Sequence, residues 1–596
     1  RRIISKCMSA RMARNYQKEN IQTLTNNTGI TWRPIPKLTL RGDLALSLSN
    51  QRNDKFIDPM SGTQTGVSNV NLEGKLNILR AENYYMNTNL SANYVNNFGG
   101  HNMNFAAGLN IQETRYTQVN EYYAGFPSGF LSSPNYATAM ERKSTYTGDK
   151  TRLIGTFTRI NYTYRDIYLV DLSGRIDGNS AFGTEKRFAP FWSVGGGINF
   201  HNYDFLKNNS IFSRIRLTGN IGQLGKSNFS PFAARGTYVV DPSKYSTGTG
   251  VLLRAMENPK LTWEITKTKD LILDLGLFKN RLSINVNWYD KLTEDLVNDV
   301  DMPLSSGFPT FKDNVGKIRN RGIEFRMQWE VVRKKDFFFS VNVNMASNKN
   351  TLVELSNSLK RYNELVNKQF ADFTDARAVL QDEGLKKQYS TAYTKYVEGA
   401  STSAIYGMRS LGINPSDGKE LYMRPDGTVT YTWAAADQVV IGDITPKGQG
   451  GFGFYAMYKG ISLSSTCMFQ FGAMDYNYTL VDKIENVDLY NSNADRRVLE
   501  QRWRQPGDFT PLKDIADRLY ITRPTSRFIQ KNNYIQIQAI ALGYEVPQQK
   551  LARLGLSRLK IQLNSGKPAI ISSIRQERGI NYPFARTYEL SINAIL

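Results

Sequence analysis

Apolar and polar residues alternate with a period of two over much of this chain, and few folds sustain that pattern for so long. Leu38, Leu40, Leu44, Leu46 and Leu48 share one face, opposite Thr39, Arg41, Asp43 and Ser47. Leu282, Ile284, Val286 and Trp288 oppose Ser283, Asn285 and Asn287. The pattern returns in Phe337, Phe339, Val341, Val343 and Met345, and in Met86, Leu90, Ala92 and Tyr94. Successive side chains of a strand point to opposite faces, so each segment reads as a two-faced β-strand. The polar faces are rich in Asn, Ser, Thr and Gln, which suits a wide hydrated interior as well as an exposed sheet.

The connections separate these two possibilities. Short polar turns are expected at 33–37, 98–101, 164–166, 278–281, 333–336 and 458–460, with somewhat longer ones near 201–212 and 547–556. Long polar stretches fall between them, at roughly 49–80, 117–150, 177–188, 225–265, 294–314, 348–450 and 472–531. Short and long connections thus alternate along the chain. An up-and-down membrane barrel requires this, with tight turns at one rim and long loops at the other. About 17 or 18 strands of the ~10-residue kind can be counted. The expected fold is all-β, a transmembrane antiparallel β-barrel of the outer membrane with long extracellular loops.

Composition supports that reading mainly by exclusion. Lys and Arg outnumber Asp and Glu by 75 to 53, yet the basic residues are scattered and form no single stripe, so nucleic acid is not an expected partner. Rims facing the phosphates of lipopolysaccharide, or a lumen that tolerates anions, account better for the charge. Two histidines and two cysteines argue against a His-based acid–base centre, a zinc site of four thiolates or a disulfide framework. There is no run of ~18 apolar residues, which excludes a transmembrane helix. No signal peptide is seen at Arg1–Cys7. No cofactor, metal or catalytic residue is expected. Gly448–Gly453 spells G-x-G-x-x-G, but it continues into a strand with no βαβ unit around it. Asp443, Asp475, Glu485 and Asp488 lack EF-hand spacing.

Several segments carry more specific expectations. Tyr162, Tyr164, Tyr168, Trp288, Tyr289, Tyr455 and Tyr458 sit at expected strand ends, where interfacial rings belong. Tyr122, Tyr123, Phe126, Phe130 and Tyr136 crowd one loop, where packing onto the loop outweighs stacking on sugar. Residues 352–386, with Leu355, Leu359, Tyr362, Leu365, Phe370 and Phe373, read as a helical insertion in an external loop. The last segment alternates Tyr588, Leu590, Ile592, Ala594 and Leu596 with Glu589, Ser591 and Asn593, and reads as a closing strand.

Ordered stretches resemble the SusC-like branch of TonB-dependent outer-membrane transporters of the Bacteroidota. Ser173–Gly183 is similar to its "R-D-G-S-S-x-F-G" element, Leu217–Gly225 to "R-x-S-Y-G-Q-T-G", Asn258–Glu264 to "N-P-x-L-x-W-E" and Asn314–Glu324 to "N-x-G-x-x-x-N-x-G-x-E". Gly442-Asp443, Arg502-Trp503 with Pro506–Asp508, and Ser526–Ile529 follow in family order. The glycines at 222, 225, 316 and 322 read as sites of bulges and bends.

The resemblance implies a non-enzymatic importer of oligosaccharides or peptides. A SusD-like surface lipoprotein would be its lid, and TonB–ExbB–ExbD would act through a plug. Family barrels resemble 22-stranded cylinders, so residues 1–596 are expected to be barrel alone. The plug and first strands would then come from another polypeptide or from further residues of the same one. The alternative is a structural barrel that scaffolds a secretion or insertion assembly. Substrate-binding residues cannot be assigned at this level.

Overall fold

The computed structural model describes residues 14–595, except 65–66, 208, 227–228, 246–247, 302–309, 356, 372–391, 393–394, 488, 490–493, 520, 552–554 and 576–584. Among the described residues seventeen strands belong to one sheet, and every strand pairing described below is antiparallel. The chain divides into two compact units. The first holds residues up to Arg165 with Val170–Val194 and Gly225–Trp263; the second holds Asp166–Leu169, Gly195–Leu224 and Glu264–Leu596.

In the first unit, β1 (Tyr16–Ile35), β2 (Leu38–Ile57), β3 (Lys75–Phe98), β4 (His101–Ala124) and β5 (Ala139–Tyr164) pair in chain order. β6 (Tyr168–Asn179) and β7 (Phe188–Asn199) follow. The turn between β3 and β4 is Gly99–Gly100, both at positive φ, a conformation that costs glycine nothing. Register puts Leu90 opposite Leu109, and Asn89 opposite Asn110. The two faces therefore run unbroken across strands. On the polar side the Asn110 amide donates to Asn87 at 2.8 Å and to Asn89 at 2.6 Å.

β3 and β4 have 24 residues each and β5 has 26, against the ~10 expected from the sequence. At a rise of ~3.3 Å per residue, 24 residues reach about 80 Å, far beyond the ~25 Å apolar band. Much of what reads as loop at 49–80 and 117–150 is thus strand. Charged and polar residues such as Glu113, Arg115, Lys150 and Arg152 interrupt the apolar face there, so the alternation fades while the hydrogen-bond ladder continues. Just past the end of β4 Phe126 packs with Phe56, Leu76 and Ile78, and within the β4–β5 ladder the Arg142 guanidinium lies 3.6 Å from the Tyr122 ring centre. The aromatic loop packs on the protein here, while Phe130 stays exposed.

In the second unit β8 (Phe212–Lys226) contributes its residues up to Leu224. β9 (Glu264–Leu277), β10 (Leu282–Glu294), β11 (Lys317–Arg333) and β12 (Phe337–Glu354) pair in order. β12 pairs next with β13 (Gly448–Tyr458), although residues 355–447 intervene. β14 (Ile461–Phe471), β15 (Tyr534–Glu545), β16 (Arg558–Ser572) and β17 (Thr587–Ile595) complete the series. Gly448–Gly453 lies inside β13. The helix α1 spans Asn357–Ala371, whereas 352–354 extend β12. Leu359 is half-buried and Leu365 exposed; Phe373 lies outside the described residues.

Two glycines serve a purpose other than bending. A Cβ on Gly322 would fall 2.4 Å from the Tyr289 hydroxyl, and one on Gly225 would fall 2.1 Å from the Phe191 ring. Register runs unbroken through Gly322, which faces Tyr289. These positions admit a ring against bare backbone. Tyr289 is accordingly buried in mid-strand rather than placed at an interface, whereas Trp288 is exposed on the apolar face.

Candidate functional site

The polar face of the first unit forms a pocket of about 400 Å³, lined by Phe157 and Arg159 of β5, Asp171, Ser173 and Arg175 of β6, and Ser193 of β7. The pocket walls are pre-arranged by their own bonds. The Arg175 Nε donates to both Asp177 carboxylate oxygens at 2.6 Å, the Asn161 amide donates to Asp171, and the Ser173 and Ser193 hydroxyls meet at 2.6 Å. Gly155 leaves room for the Arg175–Asp177 pair, since a Cβ there would fall 2.0 Å from the Asp177 carboxylate. Such a wall can exchange hydrogen bonds with a polar solute and release it.

Two of the sequence elements singled out above meet beside this face. Gly183 N donates to Leu261 O at 3.0 Å, Glu185 N to Pro259 O at 3.0 Å, and the Trp263 indole to Arg187 O at 3.1 Å. The Phe182 and Trp263 rings stand 4.7 Å apart, and Phe191 meets Trp263 edge-on at 5.4 Å. Leu261, Trp263 and Phe182 are almost wholly buried. The Asn179 side chain accepts from Ala181 N, and that of Asn258 from Lys260 N, so each asparagine turns its own loop. These motifs form an apolar clasp, which explains their residue types without recourse to chemistry.

In the second unit the two longest connections fold together. Met474–Tyr476 pairs with Ile529–Lys531, and Ala404–Gly407 with Val439–Asp443. Ile405, Tyr476, Val481, Ile484, Val498, Leu512 and Phe528 form a buried apolar cluster. Beside it a guanidinium bridges two carboxylates: Arg527 Nη2 lies 2.8 Å from Glu420 and 2.6 Å from Glu485. Thr525 donates to Glu420 at 2.8 Å, Tyr422 to Glu420 at 3.2 Å and Thr522 to Glu485 at 3.3 Å. Burial alone would raise the Glu420 pKa. The charge and hydrogen bonds of Arg527 outweigh it and hold the carboxyl below its ordinary value. The Tyr422 hydroxyl is pushed well above its ordinary range by burial and by Glu420.

Arg502 and Trp503 complete this lock. Leu480–Glu485 is a widened π-type turn closed by Asn486 N to Val481 O at 2.8 Å. Arg502 Nη2 bonds the Ile484 and Glu485 carbonyls at 2.5 and 2.7 Å, and the Trp503 indole bonds Pro415 O at 2.9 Å. Of the four loop carboxylates noted in the sequence, Glu485 joins the lock and Asp443 accepts from Ser403 at 2.7 Å. Asp475 sits in the Met474–Tyr476 strand, and Asp488 lies outside the described residues. Glu420 carried no sequence signal. On β17, Tyr588, Leu590 and Ile592 share one exposed face, opposite Ser565, Leu563 and Ile561 of β16; Leu596 lies outside the described residues.

Residues 10–389 match the family model described as TonB dependent receptor-like, beta-barrel. The chain belongs to this TonB-dependent receptor barrel family. It is an outer-membrane β-barrel, and its two-faced strands are the membrane wall. TonB-dependent receptor P3 of Formosa agariphila is 27% identical over 496 residues, covering 80% of this chain and 48% of the relative. P26 of the same organism is 24% identical over 598 residues, covering 95% and 56%. TonB-dependent receptor SusC of Bacteroides thetaiotaomicron is 27% identical over 280 residues, 46% of this chain and 28% of SusC. The chain spans about half the length of the Formosa receptors it matches. The structure of the RagAB peptide transporter superposes with a TM-score of 0.82 at 20% identity, over 97% of this chain and 62% of that one, a likeness of fold.

Proposed function

We propose that this chain is the barrel component of a SusC-like TonB-dependent importer that moves oligosaccharides or peptides across the outer membrane. The observation that carries this reading is a polar wall, with its Asn110–Asn87–Asn89 ladder and its Arg159–Asp171–Arg175 pocket, in a barrel of the receptor family. Amides, hydroxyls and paired charges offer many weak, replaceable hydrogen bonds, which lets a hydrated oligomer pass without being trapped. The likeness of fold to the RagAB peptide transporter supports a peptide as one such cargo.

In this reading residues 1–596 form the barrel domain, with 352–386 inserted in an external loop. The loop lock around Arg527 gives a SusD-like lipoprotein lid a fixed surface. TonB–ExbB–ExbD drives a plug-bearing segment that opens the passage. No bond of the cargo is made or broken, so the chain acts as a transporter and not as an enzyme.

The test is uptake by the source bacterium after deletion of this protein, with labelled oligosaccharides and oligopeptides offered separately. Loss of uptake of one class, restored by the intact gene but not by a version with its TonB-contacting segment removed, is the expected result. Unchanged uptake of both classes, with a defect in secretion or membrane-protein insertion instead, would replace the importer by a scaffold.

A further inference from the structure

Residue type changes abruptly along the apolar face of two neighbouring strands, β4 and β5. On β4 the series Met103, Phe105, Ala107, Leu109, Ile111 is followed by Glu113 and Arg115. On β5 the matching series Ile160, Thr158, Thr156, Ile154 is followed by Arg152 and Lys150. Register places Glu113 opposite Arg152, and Arg115 opposite Lys150. From Met103 to Ile111 the strand rises about 27 Å, or about 20 Å of height at the usual tilt, which is most of the ~25 Å apolar band. The charges therefore stand where lipid headgroups begin, on the side that faces lipid.

Their arrangement leaves positive charge in excess. The Glu113 carboxylate is shared by Arg152 at 2.7 Å, Lys150 at 3.1 Å and Arg115 at 3.3 Å. The two arginines are more than half exposed, and Lys150 more than a third. The two arginines and Lys150 line a pocket of about 360 Å³ together with Arg235, Thr117, Ser180, Tyr146 and one carboxylate, Asp149. The Tyr146 ring lies back over Gly148, where a Cβ would fall 2.8 Å from its hydroxyl. Ser180 exchanges two bonds of 2.9 Å with the Arg152 backbone, which fixes that wall.

The same order of residues occurs in the second unit. On β9, Leu277, Leu275, Leu273 and Leu271 give way to Lys269 and Lys267. On β11, Trp329, Met327, Phe325 and Ile323 give way to Arg321 and Arg319, which bond Asp290 at 3.1 and 2.8 Å. In both units, then, basic residues follow the apolar run on the same strand face.

We propose that the Arg115–Lys150–Arg152–Arg235 pocket binds a phosphate group carried on the headgroup of an outer-leaflet lipid. Guanidinium forks match phosphate oxygens in pairs, the hydroxyls of Thr117, Ser180 and Tyr146 add donors, and the apolar strand face below receives the acyl chains. A soluble phosphate ester shares this chemistry, so the test separates the two sources. It does not depend on the cargo or on transport.

The full-length protein in mild detergent is titrated with diphosphoryl lipid A, with its dephosphorylated form and with inorganic phosphate, and read by native mass spectrometry. The phosphorylated lipid is expected to bind about a hundredfold tighter than the dephosphorylated one. That preference falls towards unity in Arg115→Gln/Lys150→Gln/Arg152→Gln. It returns in Arg115→Lys/Arg152→Lys and is unaffected by Lys37→Gln/Arg165→Gln in the short-turn rim. Heat-modifiable migration confirms that each variant is folded. Equal binding of the two lipids, or a triple variant that keeps the preference, overturns the site. Displacement of lipid A by an equimolar amount of inorganic phosphate overturns the lipid assignment in favour of a soluble anion.

Discussion

Two clasps pin long connections in this molecule, and they are built from opposite chemistry. In the first unit Phe182, Phe191, Leu261 and Trp263 interlock with neutral backbone bonds around them. In the second, Arg527 is buried between Glu420 and Glu485. Apolar packing is non-directional and carries no group that titrates. A buried ion triad tolerates one arrangement only, because an unpartnered buried charge is costly. The aromatic clasp joins two loops by packing and backbone bonds. The ionic lock brings together residues 42 and 107 positions from Arg527, and so ties segments of the two longest connections to one another.

The largest effect is expected from Arg527→Met, which leaves two carboxylates facing each other in an apolar setting. The loss of local stability is about 3–5 kcal/mol, read as hydrogen exchange released across 395–445 and 472–531 while β13 and β14 stay protected. Trp263→Ala comes next, at about 3–4 kcal/mol from the lost packing and the cavity. Here exchange rises at 178–191 and is the same at neutral and mildly acid pH. Equal sensitivity of both variants to acid would erase the distinction between the clasps.

Acid alone sharpens it in the unaltered protein. The Glu420 carboxyl titrates below its ordinary 4.5 in the folded state. Its contribution is therefore complete above that value and is lost as pH falls through the folded value. Exchange protection of the loop lock should decline below about pH 4.5 while the aromatic clasp is unchanged. The smallest effect is expected from Lys395→Met. Burial lowers the Lys395 pKa to about 8, and its amine reaches one carbonyl, Ala435 O, at 3.1 Å. At neutral pH the folded state carries the cost of that buried charge, and the cost fades as pH rises through 8 towards 10.5. The substitution should stabilise this segment by less than about 1 kcal/mol at pH 7, because the lost hydrogen bond offsets part of the gain, and by nothing above pH 10.5.

The parts of the fold legible in the sequence are those in contact with lipid. Leu38–Leu48, Leu282–Trp288 and Phe337–Met345 alternate because one face meets hydrocarbon and the other water, and the tight turns follow from the same constraint. The upper halves of β3, β4 and β5 were illegible as strands because charged and polar residues, Glu113, Arg115, Lys150 and Arg152 among them, interrupt the face that is apolar below. The roles of Gly225 and Gly322 were misread as bends because the rings that need the space, Phe191 and Tyr289, belong to other strands. Glu420 could not have been found, since nothing local distinguishes it from a solvated loop carboxylate. Arg527 was visible only as part of a family element, without its partners.

Single-cysteine labelling at Leu109 and Asn110 in intact outer membranes addresses the two-faced wall most directly, with Cys7 and Cys467 first replaced by serine. The expected result is that Asn110→Cys reacts with a water-soluble maleimide, while Leu109→Cys reacts only with a lipid-soluble one. Equal reaction of both positions with the water-soluble reagent would contradict the assignment of one face to lipid and the other to a hydrated passage.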